Sequence, residues 1–252
     1  RSKAPIVTES DGCYVLTAGK NVAKIDKSSG MLCGYANAGV EAISSAFRPN
    51  FWRAGTDNDR RGWKAEELMG QWKDVVANDV KVTSSAEGNN AVVEAVIISD
   101  GKAVMNIKYS MHPDGTLGVS YDIKIDNQMP EPIRIGLQGQ IDSRYSNVTY
   151  FGIGPWENYC DRSDGVLLGR YATTVAEMPE RYVKPQSTGG REHLRELVLS
   201  DGKGFGLKIE TEGRVGFSAL QFTDADLMNS QHMWELQARP YTVLHLDAWT
   251  RG

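Results

Sequence analysis

Closely spaced turn signals are the feature that most limits what this chain can fold into. Glycine accounts for 26 of its 252 residues, and the dipeptide Asp-Gly occurs five times, starting at residues 11, 100, 114, 164 and 201. Asp-Gly suits the two left-handed positions of a type I′ turn, which joins neighbouring antiparallel strands. Short strands joined by such turns indicate an all-β sandwich rather than alternating strands and helices.

The clearest predicted strand pair flanks the turn at Asp114-Gly115. After this turn, Val119, Tyr121 and Ile123 alternate with polar residues, as expected of a strand with one buried face. The segment 105–110 alternates in the same way before the turn, so we expect the two to pair as an antiparallel hairpin. Further strands are predicted at 13–18, 21–26, 79–84, 91–98, 132–141, 165–173, 195–200, 204–210, 214–222 and 241–249.

Helical periodicity is limited to two short stretches. Within 63–73, four apolar residues follow the spacing of a single helix face. They are Ala65, Leu68, Met69 and Trp72. A second short helical turn is predicted over 225–231. Because the sequence has no internal repeat and no linker-like tract, we expect a single domain over residues 1–252 with one or two short helices.

Charge and composition exclude several classes of partner. The chain carries 28 Lys and Arg against 32 Asp and Glu, so no basic excess favours binding to nucleic acid or to an anionic membrane. No apolar run approaches the roughly 18 residues needed to span a bilayer. The N-terminal residues Arg-Ser-Lys-Ala-Pro contain no signal-peptide core, and we expect the chain to be part of a longer protein.

The cysteines and histidines follow neither a disulfide framework nor a metal-binding pattern. Cys13, Cys33 and Cys160 are few, odd in number and without CxxC spacing, so we expect buried free thiols. The four histidines form no HExxH or HxH pair. We therefore expect no metal and no cofactor.

Three segments carry clustered polar and aromatic residues that a sandwich core does not require: 51–61, 150–162 and 182–192. Aromatic faces stack on sugar rings, while Asp, Asn, Glu and Arg side chains hydrogen-bond to sugar hydroxyls. The segments therefore suggest contact with carbohydrate. The candidate residues are Trp52, Arg53, Asp57, Asn58, Asp59, Trp156, Glu157, Asn158, Tyr159, Asp161, Arg162 and Arg191.

The same residues also have a purely structural interpretation. One of the polar residues at 57–59 can cap the helix that follows. Arg53 with Asp59, and Glu157 with Arg162, can form buried ion pairs that hold long loops in place. The residues alone leave both interpretations open. Under either one, complementary charges and large aromatic side chains predict that the first two segments lie close together, joined by polar contacts.

At these segments the chain resembles a known family. Phe-Trp-Arg-Ala-x-x-Asp-Asn-Asp at 51–59 resembles the signature that opens the C-terminal small-chain domain (domain 5) of bacterial family 2 β-galactosidases. Phe-Gly-x-Gly-Pro-x-Glu-Asn-Tyr-x-Asp-Arg at 151–162 resembles the second signature of that domain. A third resemblance covers 182–197, with Tyr-Val-x-Pro and then Gly-x-x-x-x-Arg-Glu-Leu. The resemblance extends over almost the whole chain in the same order.

The resemblance implies a galactose-mutarotase-like β-supersandwich that completes the active-site cleft of a β-galactosidase acting on terminal β-D-galactosides of the lactose type. It also implies that the catalytic glutamate pair lies on an upstream (β/α)8 barrel of the same protein. We therefore expect the isolated chain to be inactive and to bind galactose or a β-galactoside weakly. A homo-oligomeric parent, and a bacterial cytoplasmic or periplasmic location, are left open.

One departure from the family pattern concerns the last strand. The family's domain continues past the strand resembling 244–249 into a Gly-Asp-x-Ser-Trp stretch, whose tryptophan stacks on the substrate. The sequence ends at Gly252 without this motif. Trp249 is not expected to replace it, because Trp249 lies within the strand pattern.

Two other functions remain open. A free-standing aldose 1-epimerase needs a general base and a general acid, usually Glu and His facing a groove. His193 lies beside the third segment, and His112 lies in a hairpin turn, so the match to that chemistry is weak. A structural role in domain docking or oligomer contacts overlaps with the accessory role.

Overall fold

The computed structural model describes residues 3–252, which form an all-β protein, as predicted. Strands account for 53% of the residues and helices for 10%. The chain divides into two units: the first runs to Phe47 and resumes over Asp74–Pro130, and the second comprises Arg48–Lys73 and Glu131–Gly252. Whether the two units act as the single domain expected over 1–252 stays a prediction.

The first unit contains two antiparallel sheets. The five-stranded sheet consists, in order, of β1 (Ile6–Ser10), β2 (Cys13–Ala18), β3 (Asn21–Asp26), β4 (Leu32–Asn37) and β5 (Val40–Glu41). The next strand, β6 (Ile43–Asn50), runs from the first unit into the second. The four-stranded sheet consists of β7 (Asp79–Glu87), β8 (Asn90–Ser99), β9 (Ala103–Met111) and β10 (Leu117–Ile125), in the order β10-β9-β8-β7.

The predicted hairpin forms the β9–β10 edge of the four-stranded sheet. Tyr121 pairs with Ile107 and Val119 pairs with Tyr109, in the antiparallel register that the alternation indicates. Val119 is 42% exposed because β10 is an edge strand. The buried side chains of β9 face the five-stranded sheet, and the Tyr109 hydroxyl donates to the Gly30 carbonyl at 2.9 Å. The first unit is therefore a sandwich of two sheets.

Only one of the five Asp-Gly dipeptides adopts the predicted type I′ geometry. Asp11 and Gly12, between β1 and β2, have φ angles of 50° and 75°. At the other four dipeptides only the glycine is left-handed, so the prediction is wrong there. At two of these turns the aspartate serves as a side-chain acceptor: Asp114 accepts from the Thr116 N–H at 2.9 Å and Asp201 from the Lys203 N–H at 2.7 Å.

The second unit is built on a seven-stranded sheet. Its remaining strands are β11 (Arg134–Asp142), β12 (Asn147–Gly154), β13 (Leu167–Thr174), β14 (Arg191–Ser200), β15 (Gly206–Leu220) and β16 (Tyr241–Thr250). The order is β13-β12-β14-β15-β16-β11-β6. The two strands predicted at 204–210 and 214–222 are one long strand, β15. Strands β1, β4, β5, β6 and β12 are not among the predicted segments.

The helix predicted over 63–73 is interrupted. A one-turn π-helix covers Asn58–Gly62, α1 covers Ala65–Met69, and a 3-10 turn covers Gly70–Trp72. Lys64, with a left-handed φ of 49°, precedes α1 as its N-cap without a side-chain cap, so the prediction that a residue at 57–59 caps this helix is wrong. Leu68 is 56% exposed and leaves the predicted apolar stripe.

The second helix, α2 (Asp224–Asn229), matches the turn predicted near 225–231. Thr223 and Asp226 form a capping box at its start, in which each side chain accepts from the other's backbone N–H. Over residues 3–252, no helix has the length and apolar character needed to cross a membrane.

The three cysteines are free, as predicted, but none is fully buried. Cys13 and Cys33 are half-buried with their Sγ atoms 3.8 Å apart, and Cys160 is exposed. Cys13 lies on β2, where buried and half-buried residues alternate, and its side chain belongs to the outer set. Cys160 lies in a turn within the second motif segment.

Candidate functional site

The three motif segments meet in the second unit. In the third segment, the Ser187 N–H donates to the Ala54 carbonyl of the first at 2.9 Å. The Ser187 carbonyl accepts from the Tyr159 hydroxyl of the second at 3.1 Å. The Arg53 guanidinium carbon lies 5.9 Å from the centre of the Tyr159 ring. The prediction that the first two segments lie close together is confirmed, and the third segment supplies the hydrogen bonds that bridge them.

Arg53 and Asp59 form a buried ion pair inside the first segment. The Nε and Nη2 groups of Arg53 donate to the two Asp59 carboxylate oxygens at 2.8 and 2.9 Å, and both residues are 1% exposed. Burial alone would raise the pKa of Asp59, but Arg53 outweighs that effect and holds the pKa below its ordinary value of 3.8. The remaining Arg53 nitrogen, Nη1, donates to the Arg251 carbonyl at 2.6 Å.

Glu157 joins the second segment to the third. Its buried carboxylate accepts from the Thr188 hydroxyl at 2.9 Å and from the Gly189 N–H at 2.7 Å. The Tyr182 hydroxyl and the Arg162 guanidinium also donate to it. Both oxygens are therefore occupied by donors from the protein. The Arg53–Asp59 pair is buried, as the structural interpretation expects, whereas in the Glu157–Arg162 pair only Glu157 is buried and the Arg162 side chain is 58% exposed.

Asn158 fixes the backbone around Trp156. Its Nδ2 group donates to the carbonyls of Ile153 and Trp156 at 3.0 and 2.9 Å. Its Oδ1 atom accepts from the Glu192 N–H at 2.8 Å. Asn158 is fully buried, whereas the neighbouring Trp156 is 66% exposed. An ordered backbone therefore presents an exposed aromatic ring.

Burial divides the twelve candidate residues into two groups. The buried group consists of Trp52, Arg53, Asp59, Glu157, Asn158 and Arg191, and Tyr159 is half-buried. The exposed group consists of Asp57, Asn58, Trp156, Asp161 and Arg162. Five of the buried residues are held by hydrogen bonds to other protein groups. The exposed group is accessible at the surface, although Asp57 pairs with Arg60 and Arg162 pairs with Glu157.

A layer of buried polar side chains behind the motif segments was missed by the sequence analysis. On β16, the His245 Nε2 atom lies 3.3 Å from a carboxylate oxygen of Asp224, and its Nδ1 atom lies 3.2 Å from the Ser218 hydroxyl. Asp224 also accepts from the Ala54 N–H at 3.3 Å, which connects this layer to the first segment. The signal was present in 244–247, Leu-His-Leu-Asp, where two polar residues alternate with leucines inside a strand.

Two glycines make room for carboxyl groups in this layer. Gly136 and Gly216 flank Asp247 on the neighbouring strands. A Cβ on Gly136 would lie 2.6 Å from an Asp247 oxygen, and a Cβ on Gly216 would lie 3.0 Å from a Glu192 oxygen. Burial, together with the charge of Asp247, raises the pKa of Glu192, and burial also raises the pKa of Asp247. Such surroundings favour the protonated form of a carboxyl, which can donate a hydrogen bond.

The described part of the chain offers no cluster of three or more His, Cys, Asp and Glu side chains arranged to hold a metal ion. Of the histidines named in the epimerase alternative, His112 lies in the first unit and His193 in the second. His193 stands on β14 with a left-handed φ of 53°.

Comparison with known proteins places these motifs in context. A family model described as "Beta galactosidase small chain" matches residues 17–252. The chain is 31% identical over 257 residues to a beta-galactosidase of Streptococcus thermophilus, an alignment that covers 99% of the chain and 25% of the relative. It is 28% identical over 244 residues to a beta-galactosidase of Priestia megaterium, covering 96% and 24%. It is 26% identical over 268 residues to one of Aeromonas hydrophila, covering 100% and 25%. The chain thus spans about a quarter of the length of these curated relatives.

Replacing Asp59 by asparagine should destabilise the second unit. The substitution keeps the side-chain volume but leaves the Arg53 cation buried without its counter-ion, at a cost of about 3–5 kcal/mol. Urea unfolding measures this difference in the free energy of unfolding. Asp57→Asn is the matched control, because Asp57 is exposed and pairs with Arg60 on the surface, where an ion pair contributes about 0–1 kcal/mol. Equal losses in the two variants would contradict the central role of the buried pair.

Glu192→Gln should change how stability depends on pH. The folded-state pKa of Glu192 lies above its ordinary value of 4.5, so the unfolded chain releases this proton at a lower pH than the folded chain does. The contribution of Glu192 to stability is present below the unfolded pKa and is lost as the pH rises through the folded pKa. Because glutamine does not titrate, the unfolding free energy of the variant relative to the parent should increase as the pH rises above the ordinary glutamate pKa of 4.5.

Glu196→Gln, on the same strand, is the control, because its unfolding free energy relative to the parent should change with pH in the opposite direction. Glu196 is partnered by Arg170 and Lys208, whose hydrogen bonds lower its pKa below the ordinary value. Removing its carboxylate should therefore reduce the relative stability as the pH rises. A difference between Glu192→Gln and the parent that does not vary with pH would show that Glu192 titrates as an ordinary carboxyl.

Proposed function

Because the chain belongs to the β-galactosidase small-chain family, we propose that it is an accessory, carbohydrate-binding part of a larger β-galactosidase. In this proposal it completes the active-site cleft for terminal β-D-galactosides, and the remaining three quarters of the protein supplies the catalytic barrel. The exposed members of the motif segments meet the sugar, and the buried members hold them in place.

The observation that carries the proposal is the presentation of Trp156. Its ring is 66% exposed, while buried Asn158 holds the Trp156 carbonyl at 2.9 Å and buried Glu157 follows it directly. A sugar ring stacks its apolar C–H face on an aromatic side chain, and the loss of freedom on binding is small when that side chain is already ordered. The exposed Asp161 and Arg162 lie in the same segment and supply hydrogen-bonding groups for hydroxyls.

The end of β16 supports the same assignment. Arg53, through its Nη1 group, holds the Arg251 carbonyl at 2.6 Å, and the Arg251 guanidinium lies 4.2 Å from the centre of the Trp63 ring. In the family that the chain resembles, the stretch whose tryptophan stacks on the substrate follows this strand. The contact supports the proposal that Arg53, fixed by Asp59, orients the backbone at the end of β16, where the family places that stretch.

Catalysis is assigned elsewhere in the parent because the two buried acids of the first two motif segments, Asp59 and Glu157, are bound to other protein groups. Retaining glycoside hydrolysis needs two carboxyl groups about 5–5.5 Å apart, one as nucleophile and one as acid/base. Glu157 accepts hydrogen bonds from four groups of the protein, and Asp59 is bound to Arg53. Neither carboxylate is available to a substrate in this arrangement.

We expect the purified 252-residue chain to release no nitrophenol from nitrophenyl β-D-galactoside. The physical reason is that the accessible motif surface contains no pair of unengaged carboxyl groups. Turnover is measured by absorbance over a long incubation at high protein concentration. Activity that persists through purification and disappears in Glu157→Gln would place catalysis on this chain and refute the assignment.

Galactose should bind weakly, in the millimolar range, and the binding should depend on Trp156. Millimolar affinity corresponds to about 4 kcal/mol, and stacking on one aromatic ring contributes about 0.5–1.5 kcal/mol beyond area burial. Trp156→Ala should therefore weaken binding roughly 2- to 13-fold in a titration followed by NMR. Trp234→Ala is the matched control, since Trp234 is also highly exposed but lies outside the motif segments. Equal effects of the two variants would favour a structural docking role for the Trp156 surface, whereas micromolar binding in both would show that the chain carries a complete sugar site that does not depend on Trp156.

A further inference from the structure

The outward face of the four-stranded sheet in the first unit forms a trough. The cavity has a volume of about 630 Å³ and is lined entirely by residues of β7, β8, β9 and β10. This volume lies within the range of about 300–1,000 Å³ that is typical of small-molecule sites. The opposite face of the same sheet contributes to the core of the sandwich, so the trough is separate from that core.

The strand register arranges the lining side chains in two rows that cross all four strands. The first row is Lys81, Val96, Asn106 and Asp122, and the second row is Thr83, Glu94, Lys108 and Ser120. Seven of these eight side chains are polar or charged. Adjacent strands are about 4.8 Å apart, so each row is about 14 Å long, which is more than a single monosaccharide occupies.

The charges of the trough cancel. Among the lining residues, Lys81 and Lys108 are balanced by Glu94 and Asp122, and Lys108 also pairs with Glu87 at the end of β7 at 2.6 Å, so the site has no positive excess to attract a polyanion. Asn106 donates to Asp122 at 3.1 Å, which leaves its amide oxygen and second N–H free of that contact. Each row therefore contains both hydrogen-bond donors and acceptors. A hydroxyl group both donates and accepts, so a chain of neutral polyols matches this pattern better than a charged ligand does.

The side chains also indicate how such a ligand is held. Tyr121 is the aromatic residue among those lining the trough, and it stands between Ser120 and Asp122 on β10. Because side chains alternate along a strand, its ring points to the opposite face. The trough has no stacking platform of its own and depends on hydrogen bonds distributed over several sugar units.

We propose that this trough is a second carbohydrate site, which binds a neutral oligosaccharide across β7–β10 independently of the Trp156 surface. Only the choice of a galactose-containing probe rests on the proposed function. The site recognises several linked units through the two polar rows, and it discriminates against a free monosaccharide because one unit reaches only part of a row.

The test is an NMR titration of the isotope-labelled 252-residue chain with β-1,4-galactotetraose, and separately with galactose. The tetrasaccharide should shift amide signals of β7–β10, and galactose should shift them much less. Asn106→Ala and Glu94→Gln should each weaken tetrasaccharide binding at the trough at least about threefold, as expected for the loss of one hydrogen bond. Asn89→Ala is the matched control, because Asn89 is exposed in the turn between β7 and β8, outside the trough.

Three outcomes would overturn the proposal: no shifts in β7–β10 at millimolar tetrasaccharide, shifts that both trough variants leave unchanged, or shifts produced by an uncharged Ser-Gly hexapeptide and not by the sugar. The Trp156→Ala variant separates the two sites. In this variant the tetrasaccharide should still shift the amide signals of β7–β10. The signals of residues 150–162 report separately on binding at the Trp156 surface. Failure at one site is therefore distinguishable from failure at the other.

Discussion

The buried pair of Arg53 and Asp59 is the interaction on which the organisation of the second unit depends. A guanidinium enclosed by protein must have its charge balanced and its N–H groups bonded, because an isolated buried cation is strongly unfavourable. Two Arg53 nitrogens donate to Asp59 and a third donates to the Arg251 carbonyl, while the Tyr159 ring lies nearby. One side chain therefore connects the first motif segment, the second motif segment and the end of the last strand.

This arrangement explains why the motifs contain so many polar positions. Six of the twelve candidate residues are buried, and five of them form side-chain hydrogen bonds within the protein. These bonds include every hydrogen-bonding group of the Asn158 side-chain amide and both oxygens of Glu157. Long loops without regular structure need such internal bonds to become ordered. The motif therefore combines two kinds of residue, with a buried polar framework supporting a smaller exposed set that includes Trp156.

Local patterns in the sequence were sufficient to predict some of the strands, but not others and not the buried polar contacts. Strict alternation identified the β9–β10 hairpin in its correct register, because one-residue slips would expose Ile107 and its neighbours. Of the five strands that were not predicted, β1 and β5 are short strands at the two edges of their sheet, and β12 runs into a motif whose polar residues suggested a loop. The direct neighbours of Asp224 and His245 come from distant parts of the chain, so their contacts were set by tertiary packing that periodicity does not report.

The row Gly136–Asp247–Gly216 has a consequence for protein engineering. The Asp247 carboxyl occupies space that a side chain at Gly136 would need, and the Glu192 carboxyl occupies space that a side chain at Gly216 would need. Shortening Asp247 opens a void between two bare backbones, and enlarging either glycine forces a carboxylate against a strand. The single substitution Asp247→Asn can therefore remove this buried acid at constant volume, but Gly136 must stay, because a Cβ there would also lie 2.4 Å from the Leu246 carbonyl oxygen.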